Sequence, residues 1–188
     1  MTLKPPMAVL RFVVRWWTAF ATLAALAMLG AAHAFERYGD LAPCPLCLRQ
    51  REVYWAALAI ALPATLWALF SRASRGTPRI SAFLLLVVFV ASAITAGFHM
   101  GGEYGWWSLP ASCAGITGGI DLDGLRALAT GTARESRIVA CDAVTWTFAG
   151  LSMAGWNTLI SVTLAVLSFM AAKRPRDARA PKVIRTVS

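Results

Sequence analysis

Charge is what this chain has least of. Of 188 residues, 14% are Asp, Glu, Lys or Arg, where a soluble domain carries nearer a quarter. The shortage is concentrated in four runs, 16–34, 53–70, 80–98 and 147–172, which contain no charged side chain at all. A helix rises 1.5 Å per residue, so roughly 20 residues cross a hydrocarbon layer of about 30 Å. Each run is long enough to span, allowing for tilt. The pattern excludes an ordinary soluble domain. It predicts an all-α membrane protein, a four-helix transmembrane bundle with spans near 14–34, 53–70, 80–98 and 147–172, forming one integral-membrane domain over 1–188. No internal repeat, dinucleotide-binding glycine fingerprint or haem-attachment motif occurs, so a large bound redox cofactor is not expected.

Acidic residues are also unevenly placed. Basic residues crowd the segments before the first run, between the second and third, and after the fourth, where Asp177 is the one acid. The remaining acids lie in the other two connecting segments. That asymmetry is the positive-inside bias, and it predicts both termini in the cytoplasm, with a basic tail over 173–188. It also accounts for the net charge of +9 without nucleic acid as a partner. The first run, at 19 residues, exceeds the usual apolar core of a signal peptide, so it is read as a retained helix despite Ala32-His33-Ala34.

Cysteine is rare, and all four copies fall outside the runs, on the extracytoplasmic side of this topology. Cys44-Pro45-Leu46-Cys47 closes the short first outer loop. Proline is favoured in the first helical turn, so the second helix is expected to begin near Pro45 with Cys47 in that turn. A two-residue gap is a poor staple, because closing so short a loop removes little chain entropy. A helix N-terminus and a cation at i+4, Arg51, both favour a reactive thiolate at Cys47. Cys113 and Cys141 lie in the long second outer loop and are compatible with either a staple or a mobile relay. Zinc is disfavoured, because structural sites pair two close-spaced cysteine motifs and only one is present; no metal is expected. Within the long loop, Ile120, Leu122, Leu125 and Leu128 could line a short interfacial helix. His99, Met153, Trp156 and Ile160 read, on residue type alone, as interfacial or packing positions.

Taken together, Cys44-Pro-Leu-Cys47-x-x-x-Arg51, Gly97-Phe-His99-x-Gly-x-Glu103-x-Gly-Trp106-Trp107, and Cys141-Asp-x-x-x-Trp146 running on to Trp156-Asn157 resemble the disulfide bond formation protein B (DsbB) family from about residue 12 to 172. The resemblance implies a quinone-coupled protein-thiol oxidase of the bacterial inner membrane, with its cysteine loops in the periplasm. Redox disulfides would be Cys44–Cys47 and Cys113–Cys141. The partner would be a periplasmic thioredoxin-fold, DsbA-like oxidoreductase, and the cofactor a quinone, with ubiquinone ranked ahead of menaquinone. Cys113 would form the mixed disulfide, and Cys141 would attack Cys44 and release Cys47 as a thiolate. Arg51, His99 and Met153 would line the quinone site, and the protein would act as a monomer. Gln50 departs from relatives that carry an acid beside the arginine. Two other readings stay open at this point: a quinone-linked enzyme like vitamin K epoxide reductase, whose CxxC lies late in the chain, and a disulfide-stapled membrane scaffold without redox activity.

Overall fold

A computed structural model describes residues 5–71, 76–110, 113 and 140–174. In chain order these form α1 (Pro5–Arg15), α2 (Trp17–Tyr38), α3 (Pro45–Phe70), α4 (Arg79–Glu103), a two-strand hairpin of β1 (Thr147–Phe148) and β2 (Leu151–Ser152), and α5 (Met153–Lys173). The helices α2 to α5 are each long and apolar enough to cross a membrane. The chain is thus a multi-pass membrane bundle. α3 packs between α2 and α4, and α5 lies along α4.

The distribution of side chains fits a lipid solvent. Large apolar residues point outward along the helices, with Leu23, Trp67 and Ile94 63%, 64% and 67% exposed. In water such a surface would be a liability; against acyl chains it costs nothing. The interior is built from small residues, including Ala21, Ala25, Ala57, Ala61, Ala82 and Ala96, around Trp17, Leu85 and Phe89. Small residues let helix backbones approach closely, and buried hydroxyls then bond across the gaps. Trp17 Nε1 donates to Ser168 Oγ at 2.9 Å, and Thr22 and Thr65 hydroxyls meet at 3.3 Å.

Two local differences from the expected boundaries have clear causes. The first span is preceded by a separate helix, α1, divided from α2 at Trp16, whose backbone (φ −105°, ψ 28°) leaves the helical region. The uncharged run from residue 147 opens as a hairpin instead of a helix. Ala149 and Gly150 both take positive φ (51° and 80°) between paired Phe148 and Leu151, the geometry of a tight two-residue turn. Ser152 then caps α5 by accepting Gly155 N–H at 3.1 Å. The expected interfacial helix around Ile120–Leu128 and the basic tail beyond residue 174 lie outside the described residues.

Candidate functional site

Both cysteine-bearing connections emerge at the same end of the bundle. Cys44 is the residue before α3, in extended conformation (φ −77°, ψ 165°), with Pro45 opening the helix. Its sulfur accepts the Cys47 backbone N–H at 3.2 Å, so a thiol takes the capping role usually filled by a hydroxyl or carboxylate. Cys47 thus stands in the first turn, as the sequence predicts. The Cys44 thiol reaches the Cys47 sulfur across 2.9 Å. That hydrogen bond, reinforced by burial, holds the Cys44 thiol well above the usual thiol range. Cys44 therefore retains its proton, and Cys47 is the sulfur that accepts.

The chain after α4 folds back over the helix end. Gly101 makes this possible: a Cβ there would lie 2.0 Å from the Trp107 ring, and Trp107 Nε1 donates to the Phe98 carbonyl at 3.0 Å. The fold-back carries Leu109 and Cys113 to the α3 entry. Cys141 N–H donates to the Cys113 carbonyl at 3.0 Å. Cys44, Cys113 and Cys141 form one buried cluster, 3%, 4% and 1% exposed, packed against Leu46, Cys47 and Leu109. Two pairs distant in sequence therefore share one packed environment.

His99, near the end of α4, joins this cluster. Its Nε2 lies 3.1 Å from the Cys141 carbonyl and 3.7 Å from Cys44 Sγ. Its Nδ1 meets Gln50 Nε2 at 3.0 Å. The Cys44, Cys47 and His99 donor atoms all lie within 4.8 Å of one another, but the histidine nitrogen nearest the sulfurs is engaged by a carbonyl. The Glu103 side chain is buried, accepts from the Ser152 hydroxyl and lies 3.7 Å from His99 Nε2.

Beside the sulfurs opens a cavity of about 360 Å³ with a mainly apolar wall. Cys44, Cys47, Arg51 and His99 stand at its polar end; Met153, Trp156 and Ile160 of α5 contribute to its apolar wall, so these three do more than pack. An apolar cleft with a few convergent polar groups is the usual form of a small-molecule site. A flat, lipid-soluble ring with carbonyl oxygens fits that donor set. A second hollow, about 540 Å³ and lined by Trp107, Leu109, Cys113 and Asp142, lies on the Cys113 side.

Arg51 lines the cavity but does not spend its charge on sulfur alone. It forms an ion pair with Glu36 at the end of α2 and donates to the Ala32 carbonyl at 3.1 Å. The sequence reading assigned no role to Glu36, nor to Tyr54 and Asn157, whose side chains meet in the bundle interior. A polar amide within an uncharged span was the available signal for Asn157, because such groups are costly in hydrocarbon unless bonded.

The family model described as "Disulfide bond formation protein DsbB" matches residues 14–171. Relatives named disulfide bond formation protein B include one from Methylococcus capsulatus, 33% identical over 154 residues, covering 77% of this chain and 85% of that protein. Another, from Hahella chejuensis, is 32% identical over 165 residues, covering 82% and 91%. A third, from Marinobacter nauticus, is 31% identical over 176 residues, covering 87% and 96%. No solved structure gives a significant match. With a family match across nearly all of the membrane bundle and relatives aligned over most of both lengths, this chain belongs to the DsbB family.

Proposed function

We propose that the protein generates disulfides: it oxidises the dithiol of a periplasmic thioredoxin-fold, DsbA-like partner and delivers the electron pair to a quinone of the bacterial inner membrane. In this reading both termini face the cytoplasm and the sulfur cluster faces the periplasm. The observation that carries it is the joint burial of Cys44, Cys113 and Cys141 beside an apolar cavity. A static scaffold has no use for a reactive dithiol opening onto such a space.

The route balances as sulfur exchange. A partner thiolate attacks Cys113 of a Cys113–Cys141 disulfide, forming a mixed disulfide and releasing Cys141 thiolate. Cys141 attacks Cys44 of the Cys44–Cys47 disulfide; the Cys44–Cys141 bond forms and Cys47 leaves as thiolate. The partner's second thiol then displaces Cys113, and the oxidised partner departs. Cys113 attacks Cys141, restoring its own disulfide and returning Cys44 as a thiol. The Cys44–Cys47 dithiol now holds two electrons and two protons more than its disulfide. A quinone in the cavity would accept both, restoring that disulfide.

Local chemistry supports these roles. In the dithiol that awaits the quinone, Cys44 keeps its proton and directs it to Cys47, which favours Cys47 as the sulfur that carries the negative charge. Thiolate is the reactive form in exchange. Arg51, His99 and Met153 share the cavity wall with Cys47, which suits contact with a quinone ring; the arginine would bond a ring oxygen. Energetically, each 30 mV uphill costs a two-electron transfer about 1.4 kcal/mol, so an acceptor of high potential is required. The quinone type is read as ubiquinone ahead of menaquinone, and turnover with each decides it.

The test is trapping. The oxidised protein, supplied with a reduced DsbA-like partner lacking its second cysteine, should accumulate a mixed disulfide through Cys113, because no partner thiol remains to displace Cys113 and complete the cycle. An adduct through Cys44 instead would overturn the assigned order, and no adduct at all would count against the exchange route.

A further inference from the structure

Within the bundle, four polar side chains from three helices form one continuous line. Tyr54 OH meets Asn157 Oδ1 at 2.5 Å. Asn157 Nδ2 meets Gln50 Oε1 at 2.6 Å. Gln50 Nε2 meets His99 Nδ1 at 3.0 Å, and His99 Nε2 meets the Cys141 carbonyl at 3.1 Å. Gln50, Tyr54, His99 and Asn157 are all buried. Such a line has two possible polarities, because amide and imidazole groups each donate at one end and accept at the other.

The Cys141 end selects between them. A backbone carbonyl can only accept, so His99 Nε2 must carry the proton. Other groups near Nε2 agree: a Glu103 carboxylate oxygen stands 3.7 Å away, and the Cys44 sulfur, also at 3.7 Å, already directs its own proton to Cys47. With the proton on Nε2, a neutral ring has a lone pair on Nδ1. Gln50 must then donate to it, Asn157 must donate to Gln50, and Tyr54 must donate to Asn157. Every link runs one way, from Tyr54 to Cys141.

We propose that Gln50 is a positioning residue: by donating to Nδ1 it holds His99, together with the Cys141 carbonyl on Nε2, as the Nε2–H imidazole and so pins the Cys141 backbone against Cys44 for sulfur exchange. The opposite tautomer would set the Nε2 lone pair against the carbonyl oxygen and push the Cys141 segment away. Hydrogen bonds in a low-dielectric interior polarise one another, so each link strengthens the next. A histidine's tautomer is set by the bond its other nitrogen makes, and here that bond comes from Gln50. The functional consequence rests on the exchange route proposed above; the tautomer does not.

The chain has two histidines, so His33→Gln leaves His99 as the one imidazole. Nitrogen-15 NMR of that protein, reduced and in lipid nanodiscs, should show Nε2 as the protonated, pyrrole-type nitrogen and Nδ1 as pyridine-type. A proton on Nδ1, or an even mixture, would overturn the proposal without any further variant. Gln50→Leu removes the donor. It should mix the tautomers and slow formation of a Cys44–Cys141 disulfide in a Cys47→Ser, Cys113→Ser background, with glutathione disulfide as the oxidant that is reduced to two glutathione thiols, by about tenfold, the weight of one buried hydrogen bond. An unchanged tautomer in Gln50→Leu, or a changed tautomer with unchanged exchange, would remove Gln50 from this role. Neither readout involves quinone or partner, so failed turnover with an intact tautomer would count against the redox route alone.

Discussion

The two ends of the bundle are closed by different chemistry. At the basic end, short-range bonds to main-chain carbonyls do the work. Thr77 N–H donates to the Arg15 carbonyl at 2.8 Å, and the Thr77 hydroxyl reaches the same carbonyl at 3.1 Å and takes the Thr18 N–H at 3.1 Å. Arg79 donates twice to the Arg174 carbonyl. At the cysteine end, closure relies on sulfur packing, a cavity and side-chain hydrogen bonds through His99. One end is tied down by bonds to carbonyls; the other, in the proposed route, exchanges sulfur partners. Local stability differs across folds in this manner, with reactive regions drawn from the less tightly tied parts.

The comparison makes opposite demands on mutations. The largest contrast comes from Cys47→Ser, which should abolish turnover while leaving the melting temperature of the reduced protein almost unchanged. Residual turnover near the original rate would break the distinction. At the other end, Gly76→Val should do the reverse. Gly76 has φ +110°, and a Cβ there would lie 2.6 Å from the Arg15 carbonyl oxygen. Forcing a branched residue into that conformation costs about 1–3 kcal/mol. The melting temperature should fall while the folded fraction keeps its turnover; an unshifted melting curve would show that the basic end is looser than its hydrogen bonds imply.

A smaller effect separates charge from packing at the cavity. Arg51→Ala should raise the apparent Michaelis constant for quinone by about tenfold, the weight of one hydrogen bond to a charged group. Glu36→Gln, which removes the ion-pair partner of Arg51, should move the same constant by less, because the arginine stays. Equal effects from both would mean that Arg51 acts through its tie to α2. The smallest effect is a pH dependence. Cys44 has a raised pKa in the fold, whereas the unfolded thiol titrates near 9.0. Its contribution to stability is complete below that value and declines as the pH rises above it, because the unfolded chain loses a proton that the fold retains. The reduced protein should therefore lose more stability above pH 9 than Cys44→Ala does; parallel curves would contradict the protected proton.

Much of this architecture is written in the uncharged runs, because a membrane span needs length and apolarity more than any specific neighbour. The start of α3 was equally readable: proline after a capping residue is a local signal, and the helix opens at Pro45. The amphipathic α1 was not, because Arg11 and Arg15 interrupt its apolar residues and a search for uncharged runs passes over it. The Thr147–Ser152 hairpin was hidden for the opposite reason: its residues are as apolar as the helix that follows, and only the positive φ at Ala149 and Gly150 marks the turn. The four cysteines could be picked out by spacing and rarity. The ties that organise them could not, since Gln50, Tyr54, His99 and Asn157 are brought into line by helix packing across as many as 107 positions. The pairing of Arg51 with Glu36 is likewise a product of α2 lying beside α3.

The most direct measurement uses a chain carrying Cys47→Ser and Cys113→Ser, leaving Cys44 and Cys141 as its two cysteines. In native membranes under mild oxidation, mass spectrometry should find them joined within one chain in nearly every molecule. If both instead remain free to alkylate, or if only one reacts with a membrane-impermeant thiol reagent, the two loops do not meet and the account fails.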